Sequence, residues 1–206
     1  MEVPILKQGQ AGRTEVDTSF LGDKVRTKTL RSAIIMYEAN QRVGTHNTLT
    51  RAEVARAKKP LFKQKHTGRA RVKHPQVAQC RGGGVAHGPH PRDYSYRMPR
   101  KALRVALQSA ILAKFRDGQV SMIDGFQLSA PRTKQVAGAL RTLQCEGSCL
   151  IVADAVERNL LLSVRNLPRV KVTSVAELNA FDVCFYRNVL LTEAALAKLK
   201  EAHANA

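Results

Sequence analysis

The chain has 206 residues with 34 Lys and Arg against 16 Asp and Glu, giving a net charge of +18 and a pI near 10.4. That length sustains one ordinary domain, or one domain with a large appendage, and the charge points to a polyanionic partner. A hydrophobic content of 44% excludes a wholly disordered chain, and four cysteines exclude a disulfide scaffold.

At the start, Met1-Glu2-Val3-Pro4 has neither the basic region nor the apolar run of an export signal, and no later apolar run approaches the roughly 18–20 residues of a membrane span. A soluble intracellular protein is therefore expected. Ile5-Leu6 and Val16 belong to N-terminal extended segments. From Lys24 to Arg42, Val25, Leu30, Ala33, Ile34, Tyr37 and Gln41 recur close to one face of a helix. A basic stretch intervenes, and Pro99 then opens a second helix from Arg100 to Phe115. Leu103, Leu107, Ala110, Ile111 and Lys114 repeat there at three- and four-residue spacing, and Gly118 is the expected stop.

From Gln119 onward short apolar runs alternate with helix patterns. Val120–Ile123 reads as a strand, and Ser129-Ala130-Pro131 opens a helix whose Val136, Leu140 and Leu143 share a face. Cys149–Ala153 is a continuous apolar run of the kind buried on both sides of a sheet. Asp154 and Glu157 have capping-box spacing before Leu160, Leu161 and Val164. Arg169–Val172 is a third strand of this half, and Ser174 with Glu177 repeats the box before Leu178, Phe181 and Phe185. Val189–Leu191 is a fourth, and Thr192 caps a final helix through Leu196 and Leu199. This alternation predicts an α/β fold, a mainly parallel sheet covered by helices in Rossmann-like three-layer fashion. The expected organisation is one domain over 1–206, with a long basic extended loop, 42–99, inserted between two helices.

The charge is concentrated. Between Arg42 and Arg104 stand 16 Lys or Arg and two acids, Glu53 and Asp93, which is +14 of the +18. Five of six histidines, five of eight prolines and six of thirteen glycines fall there, with no isoleucine. Such a stretch buries too little apolar surface to offset the entropy of ordering it. Lys and Arg neutralise phosphates and release condensed counterions. The residues expected to contact RNA are Arg42, Arg51, Arg56, Lys58, Lys59, Lys63, Lys65, Arg69, Arg71, Lys73, Arg81, Arg92, Arg97, Arg100 and Lys101. Gly82, Gly83 and Gly84 join them, since glycine lets backbones approach closely and its N–H can donate to a phosphate. Phe62, Tyr94 and Tyr96 either stack on unpaired bases or anchor the loop locally. Extended at roughly 3.3 Å per residue, the loop reaches on the order of 100 Å out and back. That suits a structural component of a ribonucleoprotein.

Other chemistries have weaker support. Asp124 and Asp154 follow predicted strands, where a Mg²⁺-dependent enzyme acting on RNA or nucleotides would carry paired carboxylates. The competing reading is a turn and a helix cap, and no nucleophile, Lys or phosphate loop stands beside either one. Gly82 to Gly88 departs from G-x-G-x-x-G at His87 and lacks a P-loop Lys. His74, Cys80, His87 and His90 match no common zinc spacing. No catalytic residue, metal, cofactor, membrane or small-molecule substrate is therefore expected.

Lys58-Lys59-Pro60, Gln64-Lys65-His66-Thr67-Gly68-Arg69-Ala70-Arg71, Arg81-Gly82-Gly83-Gly84-Val85 and Gly88-Pro89-His90-Pro91-Arg92-Asp93-Tyr94-Ser95 closely resemble the large-subunit ribosomal protein four family. Thr50 to Val54 and Lys101 to Lys114 extend the match over nearly the whole chain. The resemblance, bacterial in type with an organellar version kept open, implies an α/β body on the large subunit that binds the large ribosomal RNA early, near its 5′ end. It implies a loop lining the nascent-peptide exit tunnel, with Gln64, Lys65, His66, Thr67, Gly68 and Arg69 at its tip. The implied neighbours are ribosomal proteins, a second tunnel-lining one among them, and the nascent peptide. A cytoplasmic ribosome is the implied location, and some members repress their own operon. The sequence departs from the family at Leu61-Phe62, where a Trp is usual, at His66, where Gly is common, and at Gln79-Cys80-Arg81, where Pro-aromatic-Arg is frequent.

Overall fold

The structure is a computed structural model that describes residues 1–7, 10–71, 74–126, 128, 130–145 and 147–204, with side chains to 202. The chain forms two units, Met1–Glu38 with Arg97–Ala206, and Ala39–Tyr96. The first begins with strands β1 (Glu2–Lys7) and β2 (Gln10–Glu15), a 3₁₀ turn at Ser19–Leu21, and helix α1 (Thr27–Gln41), whose last residues enter the second unit. It resumes with α2 (Arg100–Arg116), β3 (Val120–Ile123), α3 (Thr133–Thr142), β4 (Cys149–Ala153), α4 (Arg158–Val164), β5 (Val170–Ser174), α5 (Ala180–Phe185), β6 (Asn188–Thr192) and α6 (Glu193–Ala204).

The six strands form one sheet in the order β2-β1-β3-β6-β4-β5. Only β1 and β2 pair antiparallel; the other four pairings are parallel. The expected mixed α/β fold with a mainly parallel sheet is what forms, for a simple reason. Runs such as Cys149-Leu150-Ile151-Val152-Ala153 have no polar face to give to water, so both faces must be covered. All five β4 residues are buried. Leu150 and Val152 join one apolar cluster with Ala33, Ile111, Val183 and Leu196, while Cys149, Ile151 and Ala153 join another with Val136, Leu140, Leu160 and Val164.

Replacing Ile151, which has no exposed surface, with alanine is expected to destabilise the body by about 2–5 kcal/mol, because the rigid sheet around it cannot collapse into the void. Urea denaturation followed by circular dichroism measures this.

Several expected boundaries move. Val16 lies one residue beyond β2, where its N–H donates to the Met1 carbonyl at 2.8 Å. Pro99 is the residue before α2 rather than its first turn, and Gly118 closes that helix at φ 65°. Ser129 lies outside the described residues, and α3 starts later than expected, at Thr133. The Arg132 N–H that precedes it donates to Ser163 Oγ at 2.9 Å. Glu157 immediately precedes α4 and makes no side-chain cap, so the Asp154–Glu157 box does not form; Asp154 instead pairs with Lys198. Ser174 and Glu177 close a turn, and Asn179 caps α5, its Oδ1 accepting the Asp182 N–H at 2.7 Å. The Thr192 cap does form, accepting from the Ala195 N–H at 3.2 Å. Asn179 Nδ2 and Lys171 Nζ both reach the buried Asp182 carboxylate, the lysine at 2.8 and 2.9 Å, which ties α5 to the sheet.

Candidate nucleic-acid interface

The second unit, Ala39–Tyr96, carries twelve Lys and Arg against Glu53 and Asp93, a net +10. Between α1 and α2 the described residues form turns and bends, without helix or strand. Only Gly44, Gln76 and Gly84 are buried among the described residues of this unit, so no apolar side chain is sealed inside it.

The outgoing and returning chains are nevertheless fastened together by the backbone. Arg92 N–H donates to Gly44 O at 3.2 Å, Thr48 N–H to Pro89 O at 3.1 Å and Val85 N–H to Leu49 O at 2.9 Å, while Gly84 N–H donates within the returning chain, to Gln76 O at 2.9 Å. Gln76, 4% exposed, is the inner clasp: its Nε2 donates to Val54 O at 2.8 Å and to Arg56 O at 3.1 Å. Arg56 Nη1 closes the far side on Arg81 O at 2.6 Å.

The glycines supply the room. A Cβ on Gly83 would lie 1.9 Å from the Val77 carbonyl oxygen, and one on Gly84 2.3 Å from the Arg51 nitrogen. Gly83 N–H also donates inside the chain, to Cys80 O at 2.9 Å. The N–H groups of Gly83 and Gly84, expected to be available to a phosphate, are thus engaged internally.

Thr50 N–H and Oγ1 both donate to Glu53 Oε2 at 2.8 Å. These bonds, led by the backbone one, hold the Glu53 carboxyl below its ordinary value. Lowering stabilises above the ordinary value, so the turn persists as the pH falls through the usual carboxylate range and loosens only below it. Ser95 does the same for Asp93, through its N–H at 2.8 Å and hydroxyl at 2.9 Å.

The aromatics divide. Tyr94 is a local anchor: Arg42 and Arg92 place their guanidinium carbons 4.1 and 4.3 Å from its ring centre, and His46 lies alongside. Tyr96 N–H donates to Asn40 Oδ1 at 3.0 Å. Phe62, 41% exposed, has Arg69 at 5.2 Å and borders a hollow of about 270 Å³ with Pro60, Gln64 and Arg71. The expected tip, Gln64, Lys65, His66, Thr67, Gly68 and Arg69, is exposed throughout, with His66 at φ 64° and Gly68 at φ 63°.

Of the candidate cations, Arg51, Lys58, Lys59, Lys63, Lys65, Arg71 and Arg81 are exposed. Arg42, Arg56 and Arg92 bind the chain itself. Lys73 lies outside the described residues, and Arg97, Arg100 and Lys101 belong to the first unit. All ion pairs found among the described residues are in that first unit. Sequence reasoning missed Gln76, which no pattern marks, and the Thr50–Glu53 turn, whose T-x-x-E spacing was a usable signal.

The carboxyl ends of the strands look different from the expected alternative. Asp154 is neutralised by Lys198, Glu193 by Lys7 at 2.8 Å, and the Asp124 N–H donates to the Leu6 carbonyl at 3.2 Å. Fold and segment together define a mixed α/β protein bearing a backbone-fastened polycationic excursion. The Ribosomal protein L4/L1 family matches residues 14–202, and the chain belongs to that family. It is similar to the large ribosomal subunit protein uL4 of Pelotomaculum thermopropionicum, 39% identical with 95% of this chain and 94% of the relative covered. It is also similar to the uL4 proteins of Symbiobacterium thermophilum (40%, 92% of each) and Rhodopirellula baltica (37%, 97% and 91%). The family is one of ribosomal structural proteins, so the chain is a constituent of the ribosome and the enzymatic alternative through Asp124 and Asp154 falls.

Proposed function

We propose that the chain is a large-subunit protein of the bacterial cytoplasmic ribosome, and that residues 42–99 form an insertion embedded in ribosomal RNA between α1 and α2. The supporting observation is the pairing of thirteen cations in residues 42–99 with an interior that holds no buried apolar side chain among the described residues. Such a segment keeps one path only where phosphates replace its counterions. Its exposed cations, Lys58, Lys59, Lys63, Lys65, Arg71 and Arg81 foremost, meet the large RNA near its 5′ end during early assembly. Arg42, Arg56 and Arg92 shape the segment and present their remaining N–H groups. The tip from Gln64 to Arg69 lines the exit tunnel beside a second tunnel protein and faces the nascent peptide, and operon repression is a further family role. The two apolar clusters support reading the body as a Rossmann-like three-layer domain.

Replacing Arg42 to Pro99 with a short Gly/Ser linker should leave the thermal unfolding of the body cooperative while abolishing incorporation into large subunits on a sucrose gradient. Normal incorporation of this deletion would overturn the proposal.

A further inference from the structure

A second exposed feature lies in the first unit, at the amino ends of β4, β5 and β6. Ser148, Arg169 and Arg187 each stand one residue before a strand, namely β4, β5 and β6. Ser148 and Arg169, with Phe185 and Tyr186 at the end of α5, line a surface hollow of about 290 Å³. Ligands of parallel-sheet enzymes gather at the opposite, carboxyl ends, so the hollow needs a different explanation.

Phe185, the last residue of α5, is 66% exposed, although Ala180, Asp182 and Val183 of the same helix are buried. It is also held still. Its ring stacks on Phe181 with centres 5.8 Å apart and interplanar angle 23°, and Tyr186 packs against its edge at 5.3 Å and 76°. Tyr37 continues the row beyond Phe181 at 6.3 Å. The Asn179 cap and the Lys171–Asp182 pair fix the helix beneath.

Arg169 sits at φ 59°, a backbone region costly for a side-chain-bearing residue, and its carbonyl accepts the Cys149 N–H at 3.0 Å. Arg187 is exposed beside it, anchored by its N–H to Ser148 Oγ at 2.9 Å. A packed aromatic face with an arginine in its lining, and no carboxylate among the described residues that line it, combines the two elements that bind single-stranded nucleic acid.

We infer that this hollow is a second RNA contact, in which an unpaired nucleobase stacks on Phe185 and the adjoining phosphate meets Arg169. The inference rests on the RNA-binding reading of the chain but concerns a different surface from residues 42–99. An apolar protein segment is the competing occupant, and the arginine and serine rim disfavours it.

The full chain contains no tryptophan, which makes Phe185→Trp a clean reporter. The probe is an oligoadenylate of about ten nucleotides, within the usual site size, with an abasic strand of equal length as control. Binding is followed by anisotropy and stacking by tryptophan fluorescence. The expected result is quenching by the oligoadenylate and none by the abasic strand. Phe185→Ala should weaken binding roughly five- to 150-fold, and Phe185→Leu should fail to restore it. Arg169→Gly, which relieves the backbone while removing the charge, should lower the salt slope by about 0.7.

Binding with unquenched tryptophan and an unaffected Phe185→Ala variant would overturn this contact while leaving the reading of residues 42–99 intact. Equal quenching by the abasic strand would overturn stacking. No binding of either strand at low salt would overturn both.

Discussion

Replacing Gly84 with alanine is expected to spring apart the outgoing and returning chains of residues 39–96 while leaving the α/β body untouched. An added Cβ would lie 2.3 Å from the Arg51 nitrogen, 2.5 Å from the Thr50 carbonyl carbon and 2.6 Å from the Arg51 Cα. All three are backbone atoms, so no rotamer change relieves the overlap. Gly84 does not adopt a positive φ, so alanine is locally permitted there and the penalty is steric contact with the opposing chain. Overpacking of this kind costs typically about 1–3 kcal/mol, and the Val85–Leu49 and Gly84–Gln76 bonds beside it are the first to yield. Amide exchange at Val85 and residue 84 should therefore accelerate roughly five- to 150-fold, with exchange in β4 unchanged. Gly88 is an informative contrast. Its nearest neighbours are side-chain atoms, Thr48 Oγ1 and Cβ; the hydroxyl can rotate away at the expense of its bond to Pro89 O, and the Cβ at 2.8 Å needs only a small backbone shift, so Gly88→Ala should have a smaller effect than Gly84→Ala. Gly138, inside α3 with open space around it, should instead gain about 0.5–1 kcal/mol as alanine.

Why the glycines matter here was only half legible in the sequence. A Gly82-Gly83-Gly84 run announces close approach, but it does not say to what. For Gly82 the neighbour is the Arg56 guanidinium, and for Gly83 and Gly84 it is the chain's own backbone; Gly84 is brought against Thr50 and Arg51 by pairs such as Arg92 with Gly44, 48 residues apart. Local pattern is blind to contacts at that separation. The same blindness hid Gln76, whose amide serves carbonyls 20 and 22 residues upstream.

The body was far more legible. Continuous apolar runs such as Cys149–Ala153 can exist only where both faces are covered, and the structure buries all five residues. Helix starts were read less well, because Asp154, Ser174 and Glu177 have the chemistry of caps but were claimed by tertiary partners or turns. The tip offers a different lesson. His66 occupies φ 64°, the left-handed conformation that a glycine would hold without strain. The tip accepts a side-chain-bearing residue in that conformation, two residues before Gly68 at φ 63°.

Neutralising cations should separate those that shape residues 39–96 from those that only meet phosphate. Lys58 and Lys59 are exposed, and no hydrogen bond or ion pair to them is found among the described residues, so glutamine there removes charge and little else. If each neutralises one phosphate, the logarithmic salt slope of binding to large-subunit RNA should fall by about 1.4–1.8 for the pair. Adding Lys63→Gln and Lys65→Gln should bring the total to about 3–4. Between 50 and 200 mM salt the parent chain is expected to lose roughly 10³–10⁵ in affinity, as for six to ten phosphate contacts, and the quadruple variant about a hundredfold less steeply. Amide exchange at Val85 should not move in any of these variants. Arg56→Gln should behave in the opposite sense. Its guanidinium donates to the Arg81 carbonyl at 2.6 Å, so its loss frees that carbonyl and opens the chain around Gly82. Exchange there should rise, and affinity should fall with a slope change of at most about one. A slope unchanged by the lysine substitutions would mean that these side chains do not face RNA, and the charge of the segment would need another purpose.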